Sequence, residues 1–290
     1  MSRPVTIRTM READLDFAAE STALENWPSE TREAFAGALA YDPAGCLVAE
    51  VEGRPAGIIV AIAYRRSGFI GELVVRKGAR GGGIGPRLFE RAVLYLRGRG
   101  VDAIGLDAVE RAVPFYEAAG FRTVCRSLRF LGKAEGRRLP GVRPMRRDDL
   151  AEVLHLDRDA FGDDRGFFLE RRFSLYPRFA KVLEREGRIA GFILGMAGRN
   201  VVAAGPWVAR EGSEAGRPLD LLEGLAAETE GLQIRIGVLE TNVRAVEALR
   251  SCPGPAAVRP SVRMVLGDGV PQARLGHSPL CWAVGSPAKG

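Results

Sequence analysis

Cysteine and histidine are scarce in this chain, and long hydrophobic runs are missing from it. Its four cysteines, none of them in a CxxC pair, and its two histidines are spread over 290 residues. This spacing predicts neither a disulfide scaffold nor a zinc site, and since no third ligand stands at a recognisable distance from His155 or His277, we expect no metal. The longest apolar stretch, Ala56–Tyr64, has nine residues, about half of what a membrane-spanning helix requires.

The first residues also lack the apolar segment of a secretory signal peptide, so we expect a cytoplasmic protein without membrane association. The chain is otherwise of ordinary globular composition, 46% hydrophobic and 27% charged, which excludes the disordered, collagen-like and coiled-coil classes. A length of 290 residues predicts two domains.

The excess of basic charge is small overall but concentrated in one segment. The net charge is +6, and residues 122–147 contain nine arginines or lysines against one glutamate. We interpret this segment as a solvated linker, or alternatively as a surface that attracts an anionic ligand. The sequence argues against a nucleic-acid or ribosome-associated role for this segment, because it contains no zinc finger, RNP motif or basic run interleaved with aromatics.

The chain repeats itself. Residues 7–15 (IRTMREADL) reappear as 142–150 (VRPMRRDDL), and 50–61 (EVEGRPAGIIVA) reappear as 184–195 (EREGRIAGFILG). A third match, of 71–75 with 204–208, keeps the same order along the chain. Such a series predicts a duplicated domain, with one copy at residues 1–139 and the other at 140–290.

Each copy has the same predicted order of elements. An opening strand and an amphipathic helix precede a hairpin that turns at Gly53 or Gly187, and then come a third strand, a helix, a further strand and a last helix. Antiparallel strands followed by strand–helix–strand units predict an α/β (α+β) protein of two tandem domains, each a mixed, mostly antiparallel sheet flanked by helices.

The sharpest motif is a glycine-rich loop, Arg80-Gly81-Gly82-Gly83-Ile84-Gly85, between a predicted strand and helix. Glycines let backbone N–H groups converge, and the helix adds its positive N-terminal end, so the loop suits a pyrophosphate. It is not a Walker A loop, because no Lys-Ser/Thr follows, and it is not a Rossmann loop, because Leu88 stands where the third glycine is needed.

The pattern Arg80-x-x-Gly83-x-Gly85 instead resembles the acetyl-CoA pyrophosphate loop of the GNAT superfamily of N-acetyltransferases. Residues 112–121 (AVPFYEAAGF) follow about 30 residues later and resemble the family motif A-x-x-x-Y-E-x-x-G-F. One residue departs from the pattern, since Val109 stands where many members carry an asparagine that contacts the pantetheine arm.

The resemblance implies direct transfer of an acetyl group from acetyl-CoA to a primary amine in a ternary complex. It implies Tyr116 as general acid and Glu72 as general base, with Glu25 and Glu30 as alternative bases acting through water, and a backbone N–H near Val74 or Val75 for the oxyanion. The implied cofactor-binding residues are Leu73, Val74, Val75, Arg80, Gly81, Gly82, Gly83, Ile84, Gly85 and Pro86. The alternative is a non-catalytic acyl-CoA-binding sensor or regulatory protein.

The second copy lacks these groups. At the repeat offset Tyr116 falls on Leu249, Gly85 on Pro218, and the loop on residues 213–216, so we expect a degenerate GNAT domain that completes the acceptor pocket of the first. A pocket walled by a second domain favours a small amine over a protein acceptor, although the sequence does not identify the amine. Carboxylates at residues 157–164 beside a phenylalanine-rich helix are interpreted as helix caps and solvated loop groups, or alternatively as a wall for a cationic amine.

Overall fold

A computed structural model describes residues 4–210, 216–267, 278–286 and 290. The first half contributes strands β1 (Val5–Thr9), β2 (Cys46–Val51), β3 (Arg54–Ala63), β4 (Ser67–Val75), β5 (Ala103–Ala108) and β6 (Arg122–Gly132). Its helices are α1 (Leu15–Leu24), α2 (Arg32–Tyr41), α3 (Ile84–Gly98) and α4 (Val113–Ala118).

The second half repeats this order. Its strands are β7 (Val142–Pro144), β8 (Ala180–Arg185), β9 (Arg188–Ala197), β10 (Val201–Ala209), β11 (Gln233–Leu239), β12 (Ala256–Leu266) and β13 (Cys281–Ala283). Its helices are α5 (Leu150–Phe161), α6 (Gly166–Leu175), α7 (Leu219–Ala226) and α8 (Val243–Ser251). No helix among the described residues is long and apolar enough to cross a membrane.

The repeated sequence at the start of each half builds the same local structure twice. In the first copy Asp14 accepts two hydrogen bonds from Arg8, at 2.7 and 2.9 Å, and in the second Asp149 accepts two from Arg143, at 2.7 and 2.8 Å. Each aspartate ends a short 3₁₀ turn just before its helix, α1 or α5. The paired arginine lowers the pKa of both carboxyls.

All thirteen strands of the described residues belong to one sheet. The order is β1-β2-β3-β4-β5-β12-β6-β11-β10-β9-β8-β7, with β13 beside β10. Only the β4–β5 and β10–β11 pairs are parallel, which confirms the predicted mixed, mostly antiparallel arrangement. Alternate residues of each strand pack under helices on opposite faces, with α3 and α7 on one face and α1, α2, α5 and α6 on the other.

The two halves exchange their last long strands at the centre of the sheet. Strand β12 of the second half lies between β5 and β6, and β6 of the first half lies between β12 and β11. The interpretation of residues 122–147 as a linker is therefore wrong for 122–132, which form a central strand. Its alternating buried residues, Cys125, Ser127 and Arg129, face one side of the sheet and explain why this segment is ordered despite its charge.

The acidic cluster of α5 and the turn after it is used for structure. Asp157 accepts two hydrogen bonds from the buried Arg165, both at 2.9 Å. Asp163 accepts hydrogen bonds from the backbone of Arg66 at 2.9 Å and from the backbone and hydroxyl of Ser67, both at 2.8 Å. Asp163 therefore links the two halves, and Asp164 accepts from the N–H of Gly166 at the start of α6, at 2.9 Å, as a helix cap does. The interpretation of these carboxylates as caps and solvated loop groups is wrong for Asp157, which is buried in its pair with Arg165.

Candidate active site

Strands β4 and β5 separate in the middle of the sheet and leave a cleft between them. Their parallel pairing ends at Ile70 and Leu106, although β4 continues to Val75. A β-bulge lies at this point, because Glu72 and Leu73 of β4 stand opposite a single residue of β3, and Glu72 adopts a φ of +48°. The bulge bends β4 away from β5, so the strand edge from Glu72 to Val75 faces the cleft without pairing to β5.

The glycine loop lies where β4 ends and α3 begins. Gly81 and Gly83 have φ values of +85° and +73°, which favour glycine, and nothing lies within 4 Å of a Cβ placed at either. Gly83 caps α3 without a side-chain hydrogen bond. The first turn of α3, beginning with Ile84, Gly85 and Pro86, therefore presents its positive end to an open, glycine-lined surface suited to a phosphate.

Arg80, predicted to contact the phosphates, turns back toward the cleft. Its Nε donates to the carbonyl oxygen of Val75 at 2.8 Å, and its guanidinium pairs with Glu25. Its positive charge stays at the rim of the cleft, but its guanidinium N–H groups already bind the Val75 carbonyl and Glu25. In this arrangement it orders the strand end and the residue after α1.

Tyr116 projects from α4 into the same cleft. Its ring packs against those of Phe89, at 5.2 Å between centroids, and Phe115, at 5.0 Å. Burial raises the pKa of Tyr116 to about 12, so the hydroxyl keeps its proton at neutral pH. Leu73, Val74, Val75, Arg80 and Tyr116 line one cavity of about 960 Å³.

A second cavity, of about 1330 Å³, adjoins the first and reaches across the sheet to the second half of the chain. Glu72 lines both cavities and is only 5% exposed. Glu25 and Glu30 line the second, together with Arg235 and Arg259 of the second half. The predicted base and its two alternatives thus lie around one space, and Glu72 stands where that space meets the cleft of Tyr116.

Sequence reasoning missed a buried ion triad at the edge of these cavities. Asp107, at the end of β5, pairs with Arg129 of β6 at 2.7 Å and with Arg263 of β12. Burial acts to raise the pKa of Asp107, but the two guanidinium groups outweigh it and hold that pKa below its ordinary value. The available signal was a single arginine among apolar residues in each of two segments, Arg129 in residues 128–131 (LRFL) and Arg263 in residues 262–266 (VRMVL).

The matching gap in the second half is filled by the chain itself. Strands β10 and β11 pair only from Val201 to Ala204 on β10, and β13 then pairs with β10 at Trp207 and Val208. The N–H of Val284, next to β13, donates to the Gly237 carbonyl of β11 at 2.9 Å. Strand β13 therefore lies where the corresponding space of the first half is open.

The predicted losses of the second half can be followed in part. Leu249, at the position of Tyr116, is fully buried, and Pro218 stands at the start of α7. Ser213, Glu214, Ala215 and His277 lie outside the described residues. Within the described ranges, no three histidine, cysteine, aspartate or glutamate side chains are placed to hold a metal ion.

Each half of the chain matches a family model of known proteins. Residues 9–121 match the acetyltransferase (GNAT) family, and residues 153–276 match an acetyltransferase (GNAT) domain. A search of curated proteins found no significant match.

Solved structures resemble the whole chain. A presumed acetyltransferase from Pyrococcus horikoshii is 26% identical with a TM-score of 0.81, covering 99% of this chain and 96% of its own. A GCN5-related N-acetyltransferase from Sphaerobacter thermophilus is 16% identical (TM-score 0.63; 93% and 98% covered). A tandem GNAT protein from the clavulanic acid biosynthesis pathway is 14% identical (TM-score 0.61; 92% and 100% covered). These last two likenesses concern the fold alone.

Proposed function

This chain belongs to the GNAT superfamily and carries two GNAT domains in tandem, and on that premise we propose that it is an N-acetyltransferase that transfers acetyl from acetyl-CoA to a primary amine. Acyl transfer in general follows from the family. The observation that carries the finer proposal is the position of Glu72 and Tyr116 on one cleft, at the split between β4 and β5.

The residues present suit acetyl-CoA. The open surface at Gly81 and Gly83 would hold the pyrophosphate, with Gly82, Ile84, Gly85 and Pro86 completing the loop and the first turn of α3. The unpaired edge of β4 at Leu73, Val74 and Val75 would bind the pantetheine amides as an added strand does. When bound there, acetyl-CoA supplies the thioester whose acyl group is transferred.

Three groups of the chain then act on the reacting atoms. Glu72 accepts the proton that the acceptor ammonium must lose, since only the free amine is a nucleophile. A backbone N–H near Val74 or Val75 stabilises the oxyanion that develops. Tyr116 holds a proton for the departing sulfur, and the apolar surroundings that raise the pKa of Tyr116 would raise that of a thiol in the same cleft too.

We assign a single acetyl-CoA site to the chain, in the first half, with the domains at residues 1–139 and 140–290. The support is β13, which already pairs along β10 and bonds to β11 in the second half. The second half contributes instead to the acceptor cavity, through Arg235, Arg259 and Ser261. A cavity closed by residues of both halves favours a small or flexible amine over a folded protein.

Calorimetric titration with acetyl-CoA tests the cofactor site. We expect one site per chain and its loss in Gly83→Glu, because a carboxylate there repels the pyrophosphate. Gly53→Glu is the matched control, since Gly53 also has a φ of +73° and nothing within 4 Å of its Cβ position. It carries the same backbone strain and is expected to keep binding. Two sites per chain, or unchanged binding by Gly83→Glu, would refute the assignment.

Turnover separates an enzyme from an acyl-CoA sensor. We expect release of free CoA when acetyl-CoA and a panel of primary amines are added together, and a large loss of this activity in Tyr116→Phe. Tight acetyl-CoA binding with no turnover on any amine would favour the sensor.

A further inference from the structure

Three arginines of the sheet line the second cavity, in addition to Arg111 of the first half. They come from neighbouring strands on the same face of the sheet, Arg259 from β12, Arg129 from β6 and Arg235 from β11. Arg129 is fully engaged, because it donates to Asp107 at 2.7 Å, to Ser261 at 2.9 Å and to Ser127. Arg235 and Arg259 have no comparable partners among the residues that the structure describes.

Arg235 is a half-buried cation without a partner in the described part of the chain. No carboxylate lies within 4.0 Å of it, and its side chain makes no hydrogen bond to residues 4–210, 216–267, 278–286 or 290. Burial lowers the pKa of Arg235, the charge of Arg129 lowers it further, and Glu30 only partly opposes them. A bound anion would offset the loss of hydration and the repulsion from Arg129, so this position on the cavity wall suits a group that an external anion completes.

Arg259 stands on the same cavity and is similarly uncommitted. It is exposed, and it has no ion pair with any residue that the structure describes. The pairing of β12 with β6 is irregular between Val258 and Ser261, so Arg259 lies outside the regular ladder at the cavity mouth. Two guanidinium groups, one at the floor and one at the mouth, therefore face the space that Glu72 also lines.

We propose that Arg235, assisted by Arg259, binds a carboxylate of the acceptor, so that the substrate is an amine that also carries a distant carboxylate. The proposal rests on the proposed function, because Glu72 at the other end receives the amine. Strands β4 and β11 are four strand spacings apart, about 19 Å between backbones. The side chains of Glu72 and Arg235 both line the cavity and shorten this distance. The amine and the carboxylate of the substrate must therefore be separated by several atoms, as in an ω-amino acid, a lysine-like side chain or a short peptide.

The test compares acceptors that differ only in the anionic group. Rates of CoA release are measured at saturating acetyl-CoA with 6-aminohexanoate, with 6-aminohexan-1-ol, and with glycine as the short control. We expect kcat/KM for the acid to exceed that for the alcohol by about tenfold or more, as charge-assisted hydrogen bonds allow, and glycine to be poor. Arg235→Gln should remove this preference by raising KM for the acid much more than KM for the alcohol, and Arg235→Lys should keep part of it.

Arg250→Gln is the matched control, since Arg250 lies exposed on α8 away from the cavity. Both glutamine variants should keep acetyl-CoA affinity, and Arg235→Gln should not lower the urea midpoint, because it removes an uncompensated charge rather than an ion pair. Equal use of acid and alcohol by the wild type, or a preference that survives Arg235→Gln, would overturn the proposal. Preference for 6-aminohexyl phosphate over the acid would overturn the carboxylate assignment.

A binding measurement separates this proposal from the proposed function. Calorimetry with 6-acetamidohexanoate, the product of the test reaction, should show binding to the wild type that Arg235→Gln loses. If that binding is found but no amine is acetylated, the acetyltransferase proposal fails and the anion site stands. If amines are acetylated but 6-acetamidohexanoate does not bind through Arg235, the anion site fails and the acetyltransferase stands.

Discussion

Replacing Asp107 by asparagine should strongly destabilise the protein, because this carboxylate joins the two exchanged strands to β5. The side chain of Asp107 is 0% exposed, and those of its partners Arg129 and Arg263 are 5% and 0% exposed. Asp107→Asn keeps the shape of the side chain and removes the charge that both guanidinium groups face. Removing one partner of a buried ion pair costs about 3–5 kcal/mol, since the remaining charge stays buried.

Urea unfolding followed by circular dichroism measures this cost. The control is Asp102→Asn, in which the same change is made to a carboxylate that is 48% exposed and pairs with the 58% exposed Arg66. An exposed pair contributes about 0–1 kcal/mol, so the control should unfold near the wild-type midpoint. If both variants lost the same small amount of unfolding free energy, the ion triad of Asp107, Arg129 and Arg263 would not be what stabilises the exchanged strands β6 and β12.

The loss of stability in Asp107→Asn should depend on pH in a defined way. Because the pKa of Asp107 is lowered in the folded protein, its stabilising contribution is present above the unfolded pKa of about 3.9 and is lost as the pH falls through the folded pKa. The difference in unfolding free energy between wild type and Asp107→Asn should therefore be constant from pH 5 to 8 and shrink below about pH 4. A difference that grew on acidification would contradict this sign.

Further predictions concern the reaction and the assembly of the sheet. Tyr116→Phe should lower kcat by about 10²- to 10⁴-fold with unchanged acetyl-CoA affinity. Because burial raises the pKa of Tyr116 to about 12, the wild-type kcat should not fall through loss of this proton between pH 8 and 10, and a fall that the variant abolishes would contradict the raised pKa. Glu72→Gln should lower kcat/KM by about 10²-fold or more, and Glu25→Gln should lower it less; the reverse order would make Glu25 the base. Residues 1–139 and 140–290, produced separately, should aggregate or self-associate and should form a soluble 1:1 complex when co-expressed. A stable monomer of either half would refute the need for exchange.

Features that depend on neighbouring residues could be predicted from the sequence. The hairpin turns at Gly53 and Gly187 both adopt the positive φ that glycine permits, at +73° and +72°. The helix predicted directly after the glycine loop is found at Ile84–Gly98, because its buried residues recur with helical spacing. Tyr116 and the glycine loop were found by motif, since they lie close together in the chain, on the successive elements β4, α3, β5 and α4.

Features that depend on distant parts of the chain could not be predicted. Strand β6 was interpreted as part of a linker because residues 122–147 carry an excess of basic charge. The partner of its Arg129, Asp107, lies 22 residues away on a strand separated from β6 by β12. The bulge at Glu72 interrupts the alternation of β4, so a regular strand pattern does not give the direction of this side chain. Arg235 was not considered for the site, since only the exchange of strands brings β11 next to the first half.

The exchange of β6 and β12 between the halves is related to the way β13 fills the gap between β10 and β11. A sheet that splits between two parallel strands leaves backbone N–H and C=O groups that must find partners, and in the first half those groups line the cleft assigned to acetyl-CoA. In the second half β13 supplies the missing hydrogen-bond partners. Asn242 holds β13 in place by donating hydrogen bonds to the carbonyls of Pro279 and Cys281, both at 3.1 Å. At the repeat offset Asn242 takes the place of Val109, where the resemblance implies an asparagine that contacts pantetheine. In the second half this asparagine contacts β13 instead, at the position where we propose that the first half binds pantetheine. The second half thus keeps the fold, while its strands β11 and β12 contribute residues to the proposed acceptor cavity.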